Sequence, residues 1–306
     1  MIWYSSLKHK VIGICLVLSI NAFSQNKELD SLLKTYQNHS ISDSLRLDAL
    51  CEICWEYIKT DASKIESFVG KLEELDSKVF PQTCYYKTKI VLGYYYKTTG
   101  NFDLSFKYFE DALNIYKLDK DTINIIRSLY RLGELRNNTH NVNSLKSGDY
   151  SYYIKGLDLL KYYHDGEQTI FFQNGMAMAL TNEGLYDESL LYLSKSTPIY
   201  DTISFPGKQR SLGFYHYHIA RNFFMKKQYD KALYEIKLAH ELATKLHVED
   251  LLLETNYYLG NIYLEKGEYQ KAELYFIENL NLNSKRGIKW KSMGMKTLLS
   301  FYESSN

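Results

Sequence analysis

The feature that most constrains this chain is a small residue that keeps returning at a nearly fixed interval. Behind Leu92 and Leu259 stand Gly93 and Gly260, and small residues in the same pattern can be tracked at Cys51, Gly93, Gly133, Ala177, Ala220, Gly260 and Ser300. The successive gaps are 42, 40, 44, 43, 40 and 40. A period of this size is the mark of a stacked repeat, in which each unit buries its apolar face only against its neighbours.

Two segments show the unit in full. Leu92 to Phe102 and Leu259 to Tyr269 both read L-G-x-x-Y-x-x-x-G-x-aromatic, and the second continues to Ala272 and Phe276. Gly100, Gly184 and Gly267 each precede an aromatic by two residues (Phe102, Tyr186, Tyr269) and mark a first turn. Glycine there can adopt positive φ and end a helix. A second series of small or short residues, Ala112, Gly156, Ser196, Ala239 and Asn279, belongs to a second helix that must admit the next unit. Tyr96 and Tyr263 fall beside the small residue of the first helix, and Tyr153 in a second helix.

This pattern resembles the tetratricopeptide repeat over roughly Leu45 to Tyr302. The resemblance implies an all-α fold, a right-handed superhelix of antiparallel helix hairpins with a period of about 40 residues. The period is longer than that repeat's usual 34, no unit has Trp in its opening slot, and the closing Pro is mostly missing. Asn137 to Gly148 reads as an insertion between the helices of one unit, and Thr202 to Gly207, with Pro206-Gly207, as a second loop. The chain divides into a signal at 1–24, a lead-in at 25–43, an array of about six units at 44–285 and a terminal helix at 286–306. That last helix carries Trp290, Met293, Thr297, Leu298 and Phe301 at helical spacing, with Lys289, Lys291, Lys296 and Glu303 off the stripe. It reads either as a solvating cap or as the first helix of a cut repeat.

The signal reading rests on Lys8, His9 and Lys10, an apolar run from Val11 to Ile20, and Ala22-Phe23-Ser24 before Gln25. A run this short does not comfortably span a bilayer, which needs about 20 residues. Cys15 is preceded by Ile14, where a lipid-modified signal wants a small residue. Export places the chain in a periplasmic or otherwise extracytoplasmic compartment. Cys51, Cys54 and Cys84 then remain, an odd number that cannot all pair internally. Cys51-Glu52-Ile53-Cys54 sits inside a helix pattern and not at a strand-to-helix junction, so both thiols are expected to be buried packing groups.

Composition excludes several functions. With 37 basic and 36 acidic residues the chain is near neutral and has no electrostatic footprint for nucleic acid. The low Pro count of 3 suits a chain that is helix almost throughout. No phosphate-cradling glycine loop, H-E-x-x-H or G-x-S-x-G is present, so no catalytic residue, cofactor or metal ligand is expected. His216 and His218, two apart on a helix, point to different sides, and His240 and His247 have no third ligand beside them. Surface or helix-cap positions are expected for all four.

In the tetratricopeptide family the inner face of the first helices usually holds an extended peptide or a partner helix. The corresponding slots here give a partner-binding groove of Lys87, Tyr94, Lys97, Arg127, Tyr130, Asn137, Asn174, Asn182, Tyr217, Arg221, Tyr257 and Asn261. Asn can hold a peptide backbone by paired hydrogen bonds, and Tyr gives rigid contact at low entropic cost. The slots that would form a carboxylate clamp hold Ile90 and Tyr94, then Tyr130 and Glu134, which argues against capture of a C-terminal carboxylate. The expected function is a non-catalytic protein–protein interaction scaffold outside the cytoplasm. The alternative is the extracytoplasmic sensory part of a membrane-bound regulator, a histidine kinase or DNA-binding protein, cut at its C-terminus. The partner is a protein or peptide, nucleic acid is not expected to bind this chain, and a membrane is reached only through an uncleaved signal or a missing C-terminal segment. The oligomeric state is left open.

Overall fold

The structure, a computed structural model, describes residues 27–79, 86–137, 150–285 and 288–305. The signal reading, Cys84 and most of the Asn137–Gly148 insertion lie outside the described residues. Among the described residues there is no strand, and no helix is long and apolar enough to cross a membrane.

The chain falls into two compact units, Met1–Leu135 and Arg136–Asn306. The first contains α1 (27–37), α2 (Asp43–Thr60), a 3-10 turn at Ala62–Ile65, α3 (Glu66–Val79), α4 (Tyr86–Thr98), α5 (Phe102–Leu118) and α6 (Thr122–Asn137), whose last two residues belong to the second unit. The second contains α7 (Ser151–Tyr163), α8 (Gly166–Asn182), α9 (Tyr186–Thr202), α10 (Lys208–Met225), α11 (Tyr229–Leu246), α12 (Glu249–Glu265), α13 (Tyr269–Lys285) and α14 (Ile288–Ser305). Consecutive helices α4/α5, α8/α9, α10/α11 and α12/α13 pack as hairpins.

The turn of each of these hairpins is closed the same way. Asn101 N–H donates to the Tyr96 carbonyl and Gly100 N–H to the Lys97 carbonyl, and the pattern recurs at Leu185/Gly184, Gln228/Lys227 and Glu268/Gly267. This is the Schellman arrangement, which requires a left-handed residue after the helix. Gly100 (φ 80°), Gly184 (φ 81°) and Gly267 (φ 73°) take it freely, whereas Lys227 (φ 58°) holds the same place with a side chain.

The small residue at the head of the repeat is explained by a close approach. A Cβ on Gly93 would lie 2.5 Å from the Phe109 ring, and one on Gly260 2.6 Å from Phe276. Where the place is taken by Ala177 or Ala220, the second helix answers with Leu193 or Ile236, buried in the same cluster. Ring size and backbone bulk therefore trade off between units, as dense packing demands. The second-helix series admits the next unit as expected: a Cβ on Gly156 would fall 1.8 Å from Phe172 of α8. Asn279 and Ser196 depart from that expectation: their polar groups turn back to the first helix of their own hairpin, on the Leu253 carbonyl (2.7 Å) and Gln173 (2.8 Å).

Cys51 and Cys54 are buried, as the helix-interior reading expects. Burial pushes the Cys54 thiol up to about 12. The four histidines divide. His247 (φ 53°) is a left-handed helix cap and is exposed. His216 Nδ1 lies 2.7 Å from Glu235 Oε2, and His240 Nδ1 3.1 Å from Thr255 Oγ1. His218 corrects the expectation of a surface position, because it is 9% exposed in the core of α10 with Nδ1 unpartnered. Burial drives its pKa down to about 3, so it stands neutral.

Candidate partner-binding face

Successive first helices lie side by side within each unit, and their polar side chains tie one helix to the next. In the first unit these helices are α2, α4 and α6. Lys87 of α4 bonds Asp48 of α2 at 2.7 Å and lies 3.7 Å from Glu52. Lys97 pairs with Glu134 of α6 at 2.9 Å. Arg131 Nε donates to the Tyr94 hydroxyl at 3.1 Å, while the Tyr94 ring meets Trp55 and Phe109 edge-on, each at 5.2 Å. Arg127 is exposed and reaches Asn124 at 3.5 Å, and Tyr130 is half-buried. Five of the expected groove residues thus lie on α4 and α6 within this unit, Asn137 at the end of α6 falling in the second, and Lys87, Tyr94 and Lys97 engage a neighbouring first helix.

In the second unit the face is built by α8, α10 and α12. Arg221 Nη2 donates to Asn182 Oδ1 at 2.7 Å across α8 and α10, and its positive charge acts on Tyr258 of α12. The Tyr217 hydroxyl donates to Glu254 Oε2 at 2.9 Å across α10 and α12. A carboxamide that spends its oxygen on Arg221 retains two N–H donors for another group. Tyr257 is 41% exposed, and Asn261 Nδ2 donates back to the Tyr257 carbonyl at 2.7 Å, which leaves the amide oxygen as its acceptor. Phe224 sits half-buried between Tyr229 and Tyr258.

Three expected groove residues are placed differently. Asn137 is 9% exposed, and its Nδ2 donates to the Tyr153 hydroxyl (2.8 Å) and the Gly175 carbonyl (3.1 Å). It is an internal clasp, because a buried carboxamide and a buried phenol both need a partner. Tyr217 is 7% exposed; its ring is covered by Tyr258 at 5.7 Å, and desolvation raises its hydroxyl pKa well above the usual value. Asn174 turns toward its own hairpin, donating to the Tyr200 hydroxyl (3.1 Å) and accepting from Ser196 (3.3 Å).

Slot counting also passed over a polar core beneath the face. Thr181 Oγ1 bonds Asn222 Oδ1 (3.0 Å), Asn222 Nδ2 donates to Ser189 (2.9 Å), and Ser189 donates to the Ala177 carbonyl (2.8 Å), all buried. Ser105 repeats the last contact on Gly93. An open cleft of about 800 Å³ was likewise not anticipated; it lies between the α9–α10 and α11–α12 turns and is lined by Phe205, Lys208, Arg210, Leu246, His247 and Asp250 among others. Its only advance sign was the Pro206-Gly207 breaker. Among the described residues no cluster of three or more His, Cys, Asp or Glu side chains could hold a metal ion.

No family model matches the chain, and no curated protein matches it either. Solved structures do. The apo form of the quorum sensor NprR from B. thuringiensis is similar at 14% identity and a TM-score of 0.67, over 92% of this chain and 82% of that one. NprR in complex with its cognate peptide NprX gives 14% identity and a TM-score of 0.68 over 97% and 84%. A Rap protein complexed with competence and sporulation factor gives 12% and 0.58 over 84% and 87%. At these identities the likeness shows the fold: the chain has the fold of tetratricopeptide-like helical-repeat proteins.

Proposed function

We propose that this chain is a non-catalytic scaffold that holds a peptide, or an extended segment of a partner protein, against the first-helix face of α8, α10 and α12. The observation that carries the proposal is the row formed by Asn182, Arg221, Asn261 and the exposed Tyr257 on the same face of consecutive helices. Such a row supplies amide donors and acceptors for a peptide backbone, one fixed cation, and a rigid aromatic surface. The Arg221–Asn182 tie across α10 and α8 and the Asn261 bond to the Tyr257 carbonyl within α12 hold these groups in place before a ligand arrives, which lowers the entropic cost of binding. NprR, which shares the fold, is seen with a cognate peptide. The location outside the cytoplasm is part of the same proposal and rests on the basic, apolar and small-residue pattern of the first 24 residues.

The test is selection of a random peptide library on the whole chain, followed by titration of the selected peptides against Arg221→Ala and Tyr257→Ala. Each substitution should weaken binding by about tenfold or more, since charged and aromatic anchors at an interface contribute about 1–2 kcal/mol or more. Unchanged affinity in both variants would place the site elsewhere.

A further inference from the structure

The last described helix carries an open face that α4, α10 and α12 each cover. In a hairpin the first helix turns one face toward its own second helix. In α12 that face is Gly260 over Phe276 and Tyr263 stacked on Tyr275 at 5.7 Å and 7°. In α4 it is Gly93 over Phe109 and Tyr96 stacked on Tyr108 at 5.6 Å and 4°. In α10 the same face brings His216 to Glu235. Counted in the same register, the face of α14 consists of Lys296, Ser300 and Glu303, and all three are exposed. Beside them Met295 is 54% and Leu299 58% exposed, whereas the matching residues of α12, Thr255 and Leu259, are fully buried.

This face is apolar at one edge, small at the other, and opposite in charge at its two ends. Those properties make it complementary to itself when reversed. Laid antiparallel on an identical helix about the point between Leu299 and Ser300, Lys296 meets the second copy's Glu303 at the centre of the face, Leu299 meets the second copy's Leu299 along one edge, and the small Ser300 meets its counterpart along the other. Both charge pairs are then satisfied by one two-fold axis, and the same patch serves on both copies, as an isologous contact requires. Antiparallel is also how the two helices of each hairpin lie. The contact is extended by α13, where Leu274 is 62% and Ile277 37% exposed and where Glu273 accepts from the Tyr302 hydroxyl of α14.

We propose that two copies of this chain associate through α14, each α14 taking on the other the place that a second helix takes within a repeat. The Lys296–Glu303 pairs set the register and the Leu299 and Met295 side chains supply the apolar burial.

Sedimentation of the whole chain over a concentration series tests this, with circular dichroism as the control for folding. Wild type is expected to form a concentration-dependent dimer. Leu299→Asp should leave it monomeric with unchanged helicity, since that side chain faces solvent in the single chain. Lys296→Glu and Glu303→Lys should each weaken the dimer by about tenfold, because each places like charges together twice. The double variant Lys296→Glu/Glu303→Lys restores both pairs and should return to within about threefold of wild type. A wild-type chain that stays monomeric throughout, a dimer indifferent to Leu299→Asp, or a double variant no tighter than the single ones would each overturn the proposal.

Discussion

The exchange of bulk between the two helices of a repeat predicts a coupling that can be measured. In the hairpin α12/α13 a Cβ added to Gly260 would lie 2.6, 2.8 and 2.8 Å from three atoms of the Phe276 ring, where ordinary contact begins at 3.4 Å. The ring must therefore retreat by about 0.8 Å, yet it is only 2% exposed and backs onto Phe301 at 5.3 Å. Overpacking of this kind costs about 1–3 kcal/mol, and the gain in helix propensity from Gly to Ala returns about 1 kcal/mol. Gly260→Ala should then destabilise by about 0–2 kcal/mol. Phe276→Leu alone leaves a void beneath Gly260 and should cost about 1–2 kcal/mol. Together they recreate the Ala177/Leu193 pairing that the chain already uses, so the double variant should lose less than the sum by about 1 kcal/mol or more. Urea unfolding followed by circular dichroism, run on the wild type, both single variants and the double variant, completes the cycle. Additivity within about 0.5 kcal/mol would refute the size-exchange argument.

Other expectations follow from single groups. His218 is held neutral with a folded pKa of about 3 against an unfolded value of 6.5, so its contribution is fully present above about pH 6.5 and is lost as pH falls toward 3. By pH 5 the loss is about 2 kcal/mol, and unfolding at pH 7 and pH 5 should show it shrink in His218→Gln; an identical pH response in both proteins would contradict a buried neutral imidazole. Asn137→Leu leaves the Gly175 carbonyl and the Tyr153 hydroxyl without their shared donor and should cost about 1–3 kcal/mol in the same assay, whereas a change under about 0.5 kcal/mol would make the clasp unimportant. Lys227→Gly removes a side chain from the left-handed place that glycine fills in three other hairpins and should stabilise by about 0.5–1 kcal/mol; a loss of stability would show that the Lys227 side chain contributes more than its backbone costs.

Much of the fold was legible because the repeat writes the same packing problem several times. Gly93, Gly260 and the turn glycines each report a contact or a φ value that only one residue type solves easily. The trade of Gly with Phe against Ala with Leu or Ile was legible too, but only when the two helices are read together. The binding face was less legible. Counting slots says which side of a helix a residue occupies, not whether the next helix has closed over it. That is why Tyr217 and Asn137, correctly placed on the first-helix rows, prove to be buried clasps while Tyr257 stays exposed. His218 was misjudged for the same reason: its polar ring is hidden by neighbours far away in sequence, and nothing local to His-Tyr-His signals the burial. On α14 the stripe of Leu298 and Phe301 is legible, but the exposure of Met295 and Leu299 depends on a covering helix that the described residues do not contain.

The central claim is that a partner lies on the first-helix face and not on the outer face of the repeats. Two exposed tyrosines separate the alternatives: Tyr257 on α12, 41% exposed beside Asn261, and Tyr234 on α11, 65% exposed on a second helix. A photo-activated cross-linker placed at each position in turn, with a selected peptide bound, reads the contact directly. A partner on the first-helix face gives capture of the peptide from position 257 and none from position 234. Capture from 234 alone, or equally from both, would contradict it.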